Sequence, residues 1–394
     1  MTTQDELNEL RSTVRTFMED HVIPNEDRVV AEDREGKHDT MTGLQRKARE
    51  AGLWTPHLPI DFGGRGLGTM GMCTLFREMG RSLIGPRVFN SDAPDQGNMD
   101  LLLRSASPEI QQAYLRPLCD GTITSGFSMT EPSPGAGADP SNLRTTAHQE
   151  GDEWVINGHK WYTTGGGNAA FLIVMARTGE GRDGASMFVV DRHAAGVKHV
   201  REIDVMAPPL LAHREAEFLY EGVRVGPEAV IGKIGDGFRL AQKRLVPARL
   251  THCMRWLGLA DRTLELCKTY ISERISFGKA LKDHQLIQRM IANNATAIHA
   301  GNLMTVHCAE MLEAGQDKEA RTYSSMAKVW VARLLCQVLD DAIQMHGGLG
   351  YSHDMPFAAW YQYARASRIV DGPDEVHQMV IARDFLKGRV QLLT

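Results

Sequence analysis

Cysteine is scarce and scattered. The 394 residues hold six, Cys73, Cys119, Cys253, Cys267, Cys308 and Cys336, and no two form a C-x-x-C pair. That spacing speaks against a structural zinc site and against a disulfide framework, so no metal is expected and the thiols read as core residues of a reducing compartment. A basic surplus is missing too. The net charge is −5, whereas a nucleic-acid binder usually carries a positive excess. No apolar run approaches the ~20 residues that span a bilayer. The start, MTTQDELNEL, has neither an apolar signal core nor an Arg-rich transit pattern. The expectation is a cytoplasmic protein with no nucleic-acid or membrane partner. Internal repeats and low-complexity linkers are also lacking, so domains must be read from changes of pattern.

Three zones differ. Residues 1–122 read as helices joined by Gly/Pro-rich loops. One loop, LPIDFGGRGLGTMG (58–71), has the glycines of a phosphate loop but no strand before it, which rejects a dinucleotide fingerprint. Residues 123–235 read as a small antiparallel sheet or barrel. AAFLIVMART (169–178), SMFVVD (186–191) and EAEFLYEGVRV (215–225) have strand character, and Asn157-Gly158 between two apolar arms predicts a hairpin turn. Residues 236–394 return to helical spacing. Between Ser324 and Gly348, Met326, Val329/Trp330, Leu334/Leu335, Val338/Leu339 and Ala342/Ile343 mark one buried helix face, stopped by Gly347-Gly348. The fold class is therefore α+β: helical domain, middle β-domain, helical bundle.

Four separated motifs carry chemistry: FSMTEPSPGAGADP (127–140), GHKWYTTGGGNA (158–169), SERISFGKALKDHQLIQ (272–288), and QMHGGLGY (344–351) followed by RIVDGPDEVH (368–377). In this order they resemble the acyl-CoA dehydrogenase family over nearly the whole chain. The resemblance implies FAD as cofactor, an acyl-CoA thioester as substrate, an electron-transferring flavoprotein as acceptor, and a homodimer or homotetramer whose neighbouring subunit completes the cofactor site. It places Phe127, Met129, Thr130 and Ala138 along the cofactor, although a serine is usual where Ala138 stands. Tyr162 falls at the position of a flavin-stacking Trp, beside Trp161. Thr163 follows it, and Thr164 falls near the reactive nitrogen. Arg274 would grip the FAD pyrophosphate, a natural role for a planar multi-donor cation. Ser276, Phe277 and Gln285 would complete the adenosine side across a subunit interface. Gln344, Gly347 and Gly348 would approach the ADP part. Gly372, Pro373 and Glu375 align with cofactor-binding positions.

In this family a carboxylate before a glycine removes the α-proton of the acyl thioester. Most members have Glu-Gly-Thr; here it is Asp371-Gly372-Pro373, one methylene or roughly 1.5 Å shorter in reach. A base must lie within hydrogen-bond distance of its proton, and a dry pocket is expected to raise its pKa. Asp374 reads as solvent-facing. The Asp-Gly-Pro sequence, with ARLTHCMRWLGLADR (248–262), is similar to the branch whose vertebrate members carry a kinase-like domain upstream, and to stand-alone bacterial relatives. Arg249 matches a position near the substrate. His252 and Arg255, three apart on one helical face, are expected to meet a hydroxyl or phosphate on the acyl chain. Two other activities remain compatible with an Asp base: phosphate loss from a 4-phosphoacyl-CoA without net oxidation, and nitroalkane oxidation, which the CoA-type framework disfavours.

Overall fold

The computed structural model describes residues 4–181, 184–208 and 213–390. Its first part is helical: α1 (Gln4–Phe17), α2 (Glu26–Arg34), α3 (Asp39–Glu50), α4 (Thr69–Met79), α5 (Gly85–Val88), α6 (Asp95–Ser105), α7 (Pro108–Ile110) and α8 (Arg116–Cys119). Apolar residues at helical spacing, among them Val14, Met18, Leu75, Phe76 and Met79, close into one core. Burying such side chains contributes roughly 1.5–3 kcal/mol each.

Seven strands follow: β1 (Ser125–Ser128), β2 (Thr146–Glu150), β3 (Glu153–Thr163), β4 (Phe171–Arg177), β5 (Ala185–Asp191), β6 (Val197–Glu202) and β7 (Ala216–Val225). They form one sheet in the order β1-β4-β2-β3-β7-β6, with β5 also paired to β4. Most pairings are antiparallel, as the sequence suggests, but β4 runs parallel to β1 and touches β2 in parallel. β4 and β5 are buried over nearly their whole length, which explains their continuous apolar runs.

The expected turn at Asn157-Gly158 is not a turn. β3 runs through it, and the chain reverses at Gly151-Asp152, where Glu150 pairs with Glu153. Gly158 answers a different need. A Cβ there would lie 2.3 Å from Thr145 Oγ1, and the pairing with β7 slips in register between Ile156 and Gly158. Asn157 Oδ1 accepts from Gly222 N–H at 2.8 Å. The pair marks a bulge with a close neighbour, which shares its sequence signature with a tight turn.

The last part is helical again, interrupted by the short ribbon β8 (Ile275–Ser276) and β9 (Lys279–Ala280). Its helices are α9 (Gly237–Glu273), α10 (Gln285–Glu313), α11 (Asp317–His346), α12 (Gly348–Tyr351), α13 (Phe357–Ala366) and α14 (Asp374–Leu386). The buried stripe of α11 is Ala327, Val331, Leu334, Leu335, Val338, Leu339 and Ala342. Its C-terminal half matches the expected face. Its N-terminal half does not: Met326 and Val329 are half-buried, Trp330 is 42% exposed, and Ser324, Ser325 and Lys328 are buried instead. Lys328 reaches the loop before α14, Ser325 meets His377 on α14, and Ser324 donates to the Val246 carbonyl on α9. Among the described residues no helix is long and apolar enough to cross a membrane.

Candidate active site

A cavity of about 1760 Å³ opens between the sheet, α6, α9 and the α13–α14 loop. The sequence-predicted residues Phe127, Met129, Thr130 and Ala138 line it from one side, and Tyr162 and Thr164 from the end of β3. Arg249, His252 and Arg255 line it from α9, and Asp371, Gly372 and Pro373 from the loop. Thr163 is the exception on β3. Strand alternation turns it inward, where it is fully buried and its hydroxyl lies 3.1 Å from Ser128 Oγ.

The Thr-Glu-Pro segment is fixed from below. Glu131 accepts from the backbone N–H of Thr145 at 2.7 Å, of Arg144 at 2.7 Å and of Ala136 at 3.0 Å. Buried Lys160 donates to Glu131 Oε1 and to Met129 O, both at 2.9 Å. Such a saturated buried pair sets backbone position at Met129 and Thr130 more than it adds stability. Tyr162 adopts φ +47°, which turns its ring out of the sheet towards the cavity.

Asp371 also sits in the left-handed region, at φ +52°, a conformation that costs a non-glycine residue about 1 kcal/mol or more. The surroundings hold it there. Arg249 Nε donates to Asp371 O at 2.9 Å, His377 Nε2 donates to it at 3.2 Å, and Lys328 Nζ donates to Gly372 O at 2.7 Å. Gly372, at φ +103°, has no room for a side chain, since a Cβ would lie 2.9 Å from His377 Nε2. Asp374 is not solvent-facing. It is buried and accepts from Arg333 Nε at 2.9 Å and Arg368 Nε at 2.8 Å. The first turn of α14 favours a carboxylate through its dipole, and two guanidiniums draw this one inward. Glu375 is the exposed residue of the pair.

The Asp371 carboxylate lies 3.3 Å from His252 Nε2. His252 Nδ1 lies 3.2 Å from Arg255 Nη2, and Arg255 Nη1 donates to Ser91 O at 2.7 Å. Both contacts are satisfied by one neutral tautomer of His252, which accepts at Nδ1 and donates from Nε2. Burial and the Arg255 charge lower the His252 pKa, against the pull of Asp371. Asp371 departs from the expected direction. Burial would raise its pKa, but the His252 hydrogen bond and the charges of Arg244 and Arg249 outweigh it and hold the carboxyl well below its usual range. The cavity wall beside Asp371 is cationic.

Two lining residues carried no motif signal. Arg244, one turn and a half before Arg249, is 6% exposed. Its Nε donates to Asn98 Oδ1 at 2.9 Å, and its guanidinium lies 3.9 Å over the Phe127 ring. Glu215 accepts from Thr164 Oγ1 at 3.1 Å. Burial, with a contribution from the Asp371 charge, pushes its carboxyl up to about 8. Neither residue offered a readable hint: Arg244 follows Gln242 and Lys243 in a charged helix stretch, and Glu215 stands in no motif.

The remaining predicted residues lie elsewhere. Arg274, Phe277, Gln285, Gln344, Gly347 and Gly348 are all exposed, with Phe277 at 97%. Ser276 is half-buried on the β8–β9 ribbon, its carbonyl 3.0 Å from His284 Nε2. Tyr270 stacks on His346 with centroids 4.2 Å apart, which ties the end of α9 to the end of α11. These two motifs thus share one open face, outside the cavity lining.

Three family models match consecutive parts of the chain: "Acyl-CoA dehydrogenase, N-terminal domain" at residues 4–122, "middle domain" at 126–218 and "C-terminal domain" at 235–386. The chain belongs to the acyl-CoA dehydrogenase family. It is 39% identical to the probable acyl-CoA dehydrogenase FadE2 of Mycobacterium tuberculosis, over 86% of this chain and 84% of that protein. It is 35% identical to acyl-CoA dehydrogenase family member 11 of Gallus gallus, over 97% of this chain but 50% of that protein, so it spans about half of that longer relative. The solved structure of an acyl-CoA dehydrogenase-like protein from Mycobacterium abscessus superposes with a TM-score of 0.92 at 36% identity, covering 99% of this chain and 100% of that one. Members of this family are oxidoreductases that generally bind FAD and dehydrogenate acyl-CoA thioesters. The three-part architecture seen here is the family fold.

Proposed function

We propose that this acyl-CoA dehydrogenase removes the α-proton of an acyl-CoA thioester with Asp371, giving a 2-enoyl-CoA. The carrying observation is a carboxylate in a large cavity, on a loop whose strained conformation is over-determined by Arg249, His377 and Lys328. The Asp371 N–H has no hydrogen-bond partner among the described residues, so it is available to the thioester carbonyl. Polarising that carbonyl acidifies the α-carbon, which matters more here because His252, Arg244 and Arg249 keep Asp371 weakly basic.

The residues fit FAD. The cavity exceeds the ~300–1,000 Å³ usual for one small ligand, which leaves room for a cofactor and a thioester together. Met129 and Thr130 offer backbone and hydroxyl groups on one wall, Tyr162 an aromatic ring, and Thr164 a hydroxyl. FAD in that position would accept the hydride leaving the β-carbon. Arg274, Gln344, Gly347 and Gly348 do not line the cavity of their own subunit, and their exposure supports a role across a subunit interface. The proposed assembly is a homodimer or homotetramer, with an electron-transferring flavoprotein as acceptor.

A second reading, phosphate loss from a 4-phosphoacyl-CoA without net oxidation, is favoured by the cationic wall formed by Arg244, Arg249 and Arg255. Anaerobic titration of the FAD-loaded enzyme separates the two. Bleaching of flavin absorbance by a plain acyl-CoA supports dehydrogenation. Phosphate release from the 4-phospho substrate, with no bleaching by any thioester, would replace it with elimination.

A further inference from the structure

Proton transfer to Asp371 leaves one buried cavity carboxyl without a role, that of Glu215. The residue stands directly before β7, its carbonyl accepting from Ile203 N–H at 2.8 Å, and it lines the cavity wall. The basic residues before it are committed elsewhere: Arg214 to Asp33 at 2.8 Å and Glu202 at 3.4 Å, His213 to Arg87 at 2.8 Å. Among the described residues no cation pairs with the Glu215 carboxyl. Its hydrogen-bond partner is Thr164, whose Oγ1 lies 3.1 Å away and whose carbonyl is tied to Phe127 N–H at 3.3 Å. The facing charges are negative. Asp371 acts on it from the α13–α14 loop, and Asp204, next to Ile203, lines the same cavity. A buried carboxylate in such company is costly, and holding its proton relieves the cost.

We propose that Glu215 tunes the electron affinity of the bound flavin from behind Thr164, as a partner able to donate to that hydroxyl or to accept from it. This role rests on the FAD reading of the cavity, in which Thr164 offers its hydroxyl to the ring. A hydroxyl has one hydrogen to give and lone pairs to receive. A carboxylate only accepts, so an ionised Glu215 would keep the Thr164 hydrogen for itself. A protonated carboxyl holds both a donor and an acceptor, and Thr164 can then turn either its hydrogen or a lone pair to the cofactor. That suits a ring whose reactive nitrogen accepts a hydrogen bond when oxidised and donates one when reduced. Burial, with the Asp371 charge added, pushes the carboxyl up to about 8, so the adaptable form prevails at neutral pH. Charge acts in the same direction. A reduced flavin is negative, and an ionised Glu215 beside it would add repulsion. Electron load and Glu215 ionisation therefore oppose each other, and by linkage each shifts the other equally. At neutral pH the atoms balance without Glu215: the α-proton goes to Asp371, and the β-hydrogen leaves with its two electrons. Above about pH 8, reduction also draws one proton from water onto Glu215. Acting through Thr164, Glu215 is a positioning residue.

Midpoint potentials of the FAD-loaded enzyme, measured by spectroelectrochemistry without substrate, test this directly. Wild type should lose about 30 mV per pH unit up to about pH 8, one proton per electron pair, and about twice that above it, where Glu215 adds a second proton. Glu215→Gln, which keeps a donor and an acceptor for Thr164, should bind FAD and lose the steepening. A wild-type slope that stays constant to about pH 10 would overturn the role, and so would a steepening that survives in Glu215→Gln. Bleaching of the same flavin by an acyl-CoA would then leave the acyl-thioester reading intact. An infrared arm needs no variant. Wild type with isotope-labelled glutamate carboxyls should show a label-sensitive carboxylic-acid band at neutral pH that is lost on the alkaline side. Asp95, whose carboxyl burial also pushes up, is an aspartate and escapes that label. Absence of the band would overturn the role even if Glu215→Gln failed to fold. A protein that takes up no FAD would overturn it together with the reading it rests on.

Discussion

The inner cavity and the outer face at the ends of α9 and α11 hold motifs of the same family, yet they are built differently. Around Asp371 most polar groups have a partner within the chain: His252 on the carboxylate, Arg249 and His377 on its carbonyl, Lys328 on the next carbonyl. On the outer face Arg274, Gln285 and Gln344 are open to solvent and Phe277 is almost bare. A site finished within one chain is rigid and pre-organised for chemistry. A site left open beside bare apolar side chains is what the proposed subunit interface requires. Variants in the two regions should therefore fail in different ways.

The largest contrast is expected between Asp371→Asn and Arg274→Ala. The first should retain FAD and lose turnover by a factor on the order of 10^3, the scale of a positioned general base, read by steady-state rates at matched flavin content. The second should keep the cavity intact but bind FAD roughly 10- to 100-fold more weakly, the loss of one charge-assisted contact, read by flavin retention on dilution. If Arg274→Ala held FAD as tightly as wild type, the outer face would lose its proposed role.

Glu215 sharpens the account of the inner region through pH. Its carboxyl titrates near 8 in the fold against a usual 4.5. Between those values the folded chain holds a proton that the unfolded chain has lost. The contribution is fully present below pH 4.5 and is lost as pH rises through about 8. Glu215→Gln keeps an acceptor for Thr164 and removes the titration. Its melting temperature should match wild type below pH 4.5, exceed it increasingly from there to about pH 8 and level off above, with a gain of several kcal/mol at ~1.4 kcal/mol per pH unit. A constant difference across pH would show that Glu215 is ionised throughout.

The smallest effect is expected at Phe277. Phe277→Ala should change thermal stability of the isolated subunit by less than about 0.5 kcal/mol while raising the dissociation constant of the assembly, measured by sedimentation. Unchanged association would remove Phe277 from the interface.

What the sequence could show follows the same division. Local patterns were legible where one element satisfies its own rule: the C-terminal half of α11 has a regular buried stripe, and the β4 and β5 runs are buried as their composition suggests. Motifs placed Asp371, Thr130 and Thr164 around one cavity because their spacing reflects a shared fold. Features decided by a distant neighbour were misread. Gly158 looked like a turn because Thr145 was not visible beside it, and Asp374 looked exposed because Arg333 and Arg368 come from other turns. The low proton affinity of Asp371 depends on the His252 hydrogen bond and on two guanidiniums, Arg244 and Arg249, converging from α9, and Arg244 gains meaning only against Asn98 and Phe127. Chemistry set by convergence has no local signature.

The most direct test of the central claim is anaerobic single-turnover mixing of FAD-loaded wild type and Asp371→Asn with a saturating acyl-CoA, following flavin absorbance. The account predicts rapid bleaching by wild type and persistent yellow colour in the variant, with thioester bound to both. Bleaching of Asp371→Asn at the wild-type rate would contradict the assignment of Asp371 as the base.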